Sequence, residues 1–141
     1  MKHKKINILD CTFRDGGYYN NWEFSEKQIK NYVNAINKSG IKYVEIGFRF
    51  EDKNKFLGPF AFSTDSYIKK LKFDKKINLA LMINCNDLIN NTNKPSKLID
   101  SLFANKKSSP FSIVRLAAHF YEISKAIKYV KKIKKKDIKF F

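Results

Sequence analysis

Arginine is scarce in this chain, although the chain is strongly basic. Lysine and arginine together number 29 against 13 acidic residues, for a formal net charge of +16, yet arginine occurs only at Arg14, Arg49 and Arg115. Such a charge suits nucleic acid, an anionic membrane face or acidic metabolites, but proteins that read base edges favour the guanidinium fork of arginine. The lysines therefore indicate solvated helix faces, and a basic nucleic-acid-binding module is the least favoured hypothesis for function.

Cysteine and long apolar runs are also lacking. Cys11 and Cys85 fall in or at the ends of predicted strands without the spacing of metal ligands, so we expect small buried thiols in a reducing compartment and no disulfide. No apolar run approaches about 18 residues, and the basic amino terminus leads directly into a predicted strand, so neither a membrane span nor a signal peptide is expected. These absences predict a cytoplasmic protein without a membrane partner.

Apolar patterns predict alternating strands and helices. Strands are expected over 6–13, 41–48, 77–83 and 112–118, with the start of a fifth strand at 137–141. Ser25 with Gln28 predicts a capping box on the first helix, which Gly40 ends. Ser63 is expected to cap a short helix over 64–71, and Pro95 to begin a later one. The last helix, about 121–135, is predicted to bury one stripe, which consists of Ile123, Ala126, Ile127, Val130 and Ile133.

This order predicts an α/β fold, the N-terminal half of a TIM (β/α)8 barrel with about four βα units and the start of a fifth strand. A complete barrel needs roughly 200 residues or more, whereas this chain has 141. We therefore expect one partial domain over 1–141, truncated on its C-terminal side. Its two unpaired sheet edges are expected to need a second copy or another chain to cover them.

Charged residues stand where the first two strands end. The first predicted strand leads into Arg14, Asp15 and two glycines, and Glu45 lies near the end of the second. Ligands bind at the carboxyl ends of parallel strands, so Arg14 and Asp15 are predicted to be site residues. A lone Arg-Asp pair would more often be a structural ion pair.

The run at 10–16, Asp-Cys-Thr-Phe-Arg-Asp-Gly, together with Val-Glu-Ile-Gly at 44–47, resembles the motifs of the DRE-TIM metallolyases, also called the HMG-CoA-lyase-like or pyruvate carboxyltransferase domain. The longer runs at 14–22 and 58–62 resemble the aldolases related to 4-hydroxy-2-oxovalerate aldolase. The resemblance implies an aldolase or lyase that makes or breaks a carbon-carbon bond of a 2-keto acid through a metal-stabilised enolate.

The resemblance also implies roles for individual residues. Asp15 is expected to be a ligand of a divalent metal, Mn²⁺ or Mg²⁺, and Arg14 to hold the developing enolate oxygen. Glu45 is expected either to orient Arg14 or to hold a metal-bound water. His119, at the end of the fourth strand, either contacts substrate or moves a proton, or it is a rim histidine bonded to backbone. Arg115, deeper in that strand, is expected to make a buried ion pair.

Two departures from the family pattern limit the expected activity. Tyr18 stands where the related aldolases have a histidine proposed as the base, so the base is not assigned. The family takes further metal ligands from a His-x-His pair on its seventh strand, which these 141 residues lack. Because Asp15 alone would bind metal weakly, we expect negligible activity from the isolated chain. The leading hypothesis is thus an N-terminal fragment of an aldolase or lyase, and the alternative is a non-catalytic half-barrel or split-enzyme subunit that needs a partner.

Overall fold

In a computed structural model, the chain forms one parallel sheet flanked by helices. The structure describes residues 6–50, 56–91, 95–104 and 107–140. Five strands are hydrogen-bonded in the order of the chain, and every neighbouring pair is parallel. The strands are β1 (Leu9–Asp10), β2 (Tyr43–Phe48), β3 (Asn78–Asn84), β4 (Phe111–Ala117) and β5 (Lys139–Phe140).

Helices lie between successive strands. Their bounds are α1 (Thr12–Asn20), α2 (Glu26–Ser39), α3 (Pro59–Phe62), α4 (Asp65–Ile68), α5 (Cys85–Ile89), α6 (Pro95–Leu102) and α7 (Ile123–Lys134), with a 3-10 turn at Phe120–Glu122. Parallel strands in sequential order with helical connections form the first half of a (β/α)8 barrel, so the predicted fold class is confirmed. Within the described ranges, no helix is both long and apolar enough to cross a membrane.

The first strand is much shorter than predicted. Only Leu9 and Asp10 pair with β2, and α1 begins at Thr12. The carboxylate of Asp10 accepts hydrogen bonds from the backbone N–H and the hydroxyl of Thr12, at 3.1 Å and 2.9 Å. Such a local side-chain bond competes with the sheet and turns the chain into the helix. Arg14 and Asp15 therefore lie in a helix, and the prediction of a strand over 6–13 was wrong.

Some of the predicted helix caps are present in the structure, and others are not. The capping box of Ser25 and Gln28 is present, and Gly40 ends α2 with φ +79°, as predicted. Ser63, however, does not cap α4. It ends α3 in the left-handed region, and the side chain of Thr64 accepts the capping bond from the N–H of Tyr67. The helix that Pro95 begins was predicted correctly, whereas α5 was not predicted.

The last helix turns a different face to the core than predicted. Ala126, Tyr129 and Ile133 are buried, while Ile123 and Ile127 remain 49% and 48% exposed. Successive residues on a helix are about 100° apart, which places these two isoleucines on a flank of α7. Just beyond the end of α7, Lys136 forms a 2.7 Å ion pair with Asp100 of α6. The apolar stripe is thus wider than the face that the sheet covers.

An irregularity in β2 positions the site. The register between β2 and β3 shifts between Glu45 and Phe48, so both side chains lie on the side of the sheet that faces Arg14. Gly47 permits this path, because a Cβ there would stand only 2.1 Å from the carbonyl oxygen of Phe60 in α3. The close approach of strand and helix therefore requires glycine.

Candidate active site at the carboxyl ends of the strands

A fully buried carboxylate lies between two arginines. Glu45 in β2 has no solvent exposure. The Nε of Arg14 donates a 2.7 Å hydrogen bond to its Oε1, and the Nε of Arg115 in β4 lies 3.1 Å from its Oε2. A carboxylate removed from water requires compensating charge, and these two guanidiniums supply it. Three residues from β2, β4 and α1 thus form one ionic cluster.

The surroundings favour the charged form of Arg14. Burial lowers the pKa of its guanidinium, but the hydrogen bonds to Glu45 and Cys11 and the nearby carboxylates of Glu45 and Asp15 together raise that pKa above its ordinary value. The guanidinium also lies 6.0 Å from the ring centre of Phe48. A cation held in a fixed position, partly shielded from water, can stabilise negative charge that develops on a bound ligand.

Some polar atoms of the cluster have no hydrogen-bond partner among the described residues. Oε2 of Glu45 accepts no hydrogen bond despite its complete burial, so its contact with Arg115 is an ion pair without good hydrogen-bond geometry. The side chain of Arg115 is one-third exposed, and its terminal nitrogens have no partner in the described part of the chain. Buried polar groups are normally paired, so Oε2 of Glu45 is an exception in this site.

Asp15 lies beside this cluster but is more open to solvent. Its carboxylate forms an ion pair with a terminal nitrogen of Arg14, and 59% of the side chain is exposed. Among the described residues, no three side chains of His, Cys, Asp or Glu come together as metal ligands. Asp15 therefore offers one oxygen ligand, and the other residues of this site do not complete a metal centre.

A tryptophan, Trp22, packs on α1 and contacts the backbone of Arg14. The indole Nε1 of Trp22 donates a 3.0 Å hydrogen bond to the carbonyl oxygen of Arg14. Its ring covers Gly17 so closely that a Cβ there would stand 1.9 Å from the indole. Asn21 and Trp22 both have positive φ, which turns the chain back over α1. The two consecutive asparagines before Trp22 were the sequence signal for this left-handed cap, since asparagine tolerates that region, and our sequence analysis did not use it.

Cys11 completes the inner wall of the site. Its Sγ lies 3.8 Å from Oε1 of Glu45. Burial, and then the charge of Glu45, raises the pKa of the thiol above its ordinary value. Cys11 and Cys85 are both free; Cys85 is buried as predicted, whereas Cys11 is only half-buried. The thiol of Cys11 is thus kept protonated and acts as a weak donor toward the carboxylate rather than as a nucleophile.

His119 lies on the rim, apart from the arginine cluster. Its side chain is exposed, and its ring stacks on Tyr121 with 5.4 Å between ring centres. The backbone N–H of His119 donates a 2.8 Å hydrogen bond to Oε2 of the buried Glu122. The structure therefore brings Arg14, Asp15 and Glu45 together but leaves His119 at the mouth, and its role stays a prediction.

The sequence analysis missed the part that Arg115 plays in this site. An ion pair was expected for Arg115 and is present, but its partner is the site residue Glu45. The two residues are 70 positions apart, and β3 lies between their strands. The signal lies in strand register: Glu45 pairs with Ala80, and Arg115 pairs with Met82 two residues farther along β3, so both face the same side.

Comparisons with known proteins agree with this architecture. A solved structure, the N-terminal domain of a candidate aldolase from Bacteroides vulgatus, is similar with a TM-score of 0.77 and 30% identity over 96% of this chain and 43% of that one. An oxaloacetate decarboxylase of Mycobacterium tuberculosis is 36% identical over 45 residues, which is 32% of this chain and 13% of that protein. No family model matches.

This chain spans less than half the length of both proteins. The two similarities together support an aldolase-like N-terminal half-barrel with a fold of the lyase type.

Proposed function

We propose that this chain carries the substrate-binding half of a carbon-carbon lyase of the aldolase type, which acts on a 2-keto acid. The observation that carries the proposal is the buried Glu45 between Arg14 and Arg115. The two guanidiniums are balanced by Glu45 and by the solvent-exposed carboxylate of Asp15, and the terminal nitrogens of Arg115 suit the carboxylate of an anionic ligand. Their position at the carboxyl ends of the strands is where barrel enzymes bind substrates.

Arg14 and Arg115 have different tasks in this proposal. The terminal nitrogens of Arg115 bind the carboxylate of the keto acid, for which a planar guanidinium is well shaped. Arg14 faces the ketone oxygen and stabilises the negative charge that develops there as the enolate forms. A preorganised contact of this kind contributes about 3 to 4 kcal/mol to the transition state. Since Glu45 holds both guanidiniums, it is a positioning residue.

The proton transfers are assigned to the mouth of the site. His119 is the candidate for moving a proton to or from the ligand, because its imidazole can donate or accept a hydrogen bond at the mouth of the site. Tyr18, the other candidate position, is exposed and its ring packs edge-on against Trp22.

The proposal includes a divalent cation, Mn²⁺ or Mg²⁺, with Asp15 as one of its ligands. Such an ion would supply Lewis-acid stabilisation to the keto acid. Because the described residues provide one carboxylate rather than a cluster, the remaining ligands have to come from other residues. We therefore expect the isolated chain to bind the ion weakly.

Within the lyases, the motifs at 10–16 and 44–47 favour the DRE-TIM metallolyases, and the run at 14–22 favours members related to 4-hydroxy-2-oxovalerate aldolase. The relative from Mycobacterium tuberculosis is by name a decarboxylase of oxaloacetate, which is itself a 2-keto acid. That name supports the proposed substrate class, whereas the replacement of the family histidine by Tyr18 argues against transferring one particular reaction.

A second candidate is a non-catalytic half-barrel, or a split-enzyme subunit, that pairs with a second copy or a complementary C-terminal half-barrel. Large apolar side chains are exposed at both ends of the sheet, Ile6 and Ile8 before β1 and Ile123 and Ile127 on α7. Further βα units packed there would cover them and complete the barrel. This candidate shares the site but requires no turnover.

Calorimetric titration with pyruvate and with Mn²⁺ tests the proposal. We expect pyruvate binding that Arg14→Met abolishes, and weak Mn²⁺ binding that Asp15→Ala abolishes. Lys30→Met removes an exposed cation far from the site and is the control that leaves both unchanged. Pyruvate binding that is equal in the wild type and in Arg14→Met would refute the assignment of the site. Robust metal-dependent aldol cleavage by the purified chain would refute the incomplete metal centre.

A further inference from the structure

A polar cleft lies directly beyond the proposed keto-acid site. Arg115 pairs with Met82, and two residues farther along the same strands Ala117 pairs with Asn84. Side chains two residues apart on a strand face the same side of the sheet and are separated by about 7 Å. Asn84 and Ala117 therefore lie on the same side as Arg115, one layer nearer the mouth. Asn84 and Ala117 also line the cleft, which places one end of the cleft next to the layer of Arg115.

The cleft is large enough for part of a substrate. Its volume is about 390 Å³, and its lining includes Asn84, Asn86, His119 and Glu122. One water molecule takes up about 30 Å³ in the liquid, so a segment of several non-hydrogen atoms fits. The small side chains of Ala117 and Ala118 leave the space open, and apart from these alanines the lining is polar.

The hydrogen-bonding groups of the lining determine which segment fits. Asn84 is half-buried, and within the described part of the chain its side-chain amide has no hydrogen-bond partner. An amide offers both donors and an acceptor, and a hydroxyl group matches either. An alkyl segment would bury the amide of Asn84 without hydrogen-bond partners, which is unfavourable.

We propose that this cleft binds the hydroxylated tail of a longer substrate, so that the preferred ligand is a polyhydroxylated 2-keto acid of the 2-keto-3-deoxy sugar acid class. The inference rests on the proposed function, because the keto-acid end is assigned to Arg14 and Arg115. The tail then runs past Ala117 toward Asn84. The same cleft selects hydroxylated aldehydes, which are released when the carbon-carbon bond is cleaved and are attacked by the enolate when it is formed.

Three ligands of graded structure test the inference by calorimetry on the full 141-residue chain. These are pyruvate, 2-oxohexanoate and a six-carbon 2-keto-3-deoxy sugar acid. We expect the sugar acid to bind at least tenfold more tightly than 2-oxohexanoate. Asn84→Leu should remove that preference and leave the affinity for pyruvate unchanged, because pyruvate does not reach the cleft.

Two further variants serve as controls for this experiment. Asn84→Asp keeps the size of the side chain but loses its donors, so the preference should fall by a smaller factor. Asn34→Leu, on the exposed side of α2, is the matched control and should change none of the affinities. Circular dichroism establishes that each variant folds.

The possible failures are distinguishable. Equal binding of the sugar acid and 2-oxohexanoate, or a preference that survives Asn84→Leu, would overturn the cleft while pyruvate binding through Arg14 still stood. If no ligand bound in a manner that depended on Arg14, the proposed function would fail, and this inference would fail with it.

Discussion

Nε of Arg14 lies 2.7 Å from Oε1 of Glu45, and this hydrogen bond connects the start of α1 to a carboxylate that has no contact with solvent. The second oxygen of that carboxylate faces Arg115 across β3. A single buried anion therefore determines the relative positions of two cations. Both the stability of the chain and the geometry of its site depend on the charge of Glu45.

Glu45→Gln should destabilise the chain strongly. The amide is uncharged, so Arg14 and Arg115 would lose their shared buried counter-charge, and only the exposed Asp15 would remain beside Arg14. Removing one partner of a buried ion pair typically costs about 3–5 kcal/mol. We expect the free energy of unfolding to fall by about that amount, as measured by urea denaturation followed by circular dichroism.

A double-mutant cycle is the control for this prediction. Arg14→Met alone should also destabilise the chain, but the double variant should be less destabilised than the sum of the two, with a coupling energy of about 1–3 kcal/mol. Strictly additive effects would mean that the Arg14–Glu45 contact contributes nothing of its own.

Gly17→Ala should damage the site, whereas Gly16→Ala should not. A Cβ at Gly17 would collide with the indole of Trp22 at 1.9 Å, but a Cβ at Gly16 would meet only the ring of Phe24 at 3.7 Å. If Trp22 is displaced by this collision, its hydrogen bond to the carbonyl oxygen of Arg14 is lost. We expect Gly17→Ala to lower both the melting temperature and the pyruvate affinity.

Gly16→Ala is a closely matched control, because it changes the neighbouring residue of the same helix. Replacing a helical glycine by alanine gains up to about 1 kcal/mol, so its melting temperature should stay equal or rise. If the two variants behaved alike, steric contact with Trp22 would not be the reason for Gly17.

The chain should lose stability above pH ~10, the ordinary pKa of tyrosine, and Tyr32 should account for part of the loss. Burial, followed by the hydrogen bond to Asp10, raises the pKa of Tyr32 in the folded chain. The unfolded chain therefore releases this proton first. The contribution is complete below pH ~10 and declines above it, by about 1.4 kcal/mol per pH unit for one group.

Tyr32→Phe should be less stable at neutral pH, because the 2.5 Å hydrogen bond to Asp10 is lost, but its stability should decline less steeply above pH 10. Tyr19→Phe is the control, since Tyr19 is 95% exposed, and its pH profile should follow the wild type. Urea midpoints between pH 7 and pH 11 measure both. Identical alkaline slopes in the wild type and Tyr32→Phe would contradict the assignment.

Arg49→Lys should be strongly destabilising although lysine keeps the charge. Arg49 is 6% exposed and donates hydrogen bonds to the carbonyl oxygens of Leu102 and Ser63 and to the carboxylate of Asp65. Its guanidinium also lies 5.0 Å from the ring centre of Phe111. A lysine cannot reproduce the several directed hydrogen bonds of a guanidinium. We therefore expect the free energy of unfolding to fall by about 3 kcal/mol, as measured by chemical denaturation. Lys30→Arg, on the surface, should change nothing measurable.

Local signals predicted the regular elements well. The capping box of Ser25 and Gln28 and the glycine at Gly40 determined both ends of α2, because the groups that satisfy those helix ends are close in sequence. The first strand, in contrast, was predicted too long. The apolar residues Ile6 and Ile8 fit a strand, but β1 lies at the edge of the sheet, where one side offers no partner.

The face of α7 could not be read from periodicity alone. Ile123 and Ile127 belong to the apolar stripe, yet only the arc centred on Ala126, Tyr129 and Ile133 meets the sheet and its neighbours. A hydrophobic pattern states how much of a helix is apolar, whereas tertiary packing decides which part is covered.

Motif resemblance selected Arg14, Asp15 and Glu45 as neighbours, and the structure places them together. The contact of Arg115 with Glu45 was not predicted, because it depends on the register of three strands and on the irregularity in β2. Long-range pairs of this kind have no local signature. The same holds for Trp22, whose contact with Arg14 depends on two consecutive residues with positive φ.

The position of Glu45 also constrains the order in which the chain can fold. Its two counter-charges come from opposite sides, Arg14 from the helix after β1 and Arg115 from β4, while β3 between them supplies the uncharged Ala80 and Met82. A partly assembled sheet of three strands would enclose the carboxylate with half of its compensation. Intermediates that add one strand at a time are thereby disfavoured, and the first four strands should assemble as a single cooperative unit.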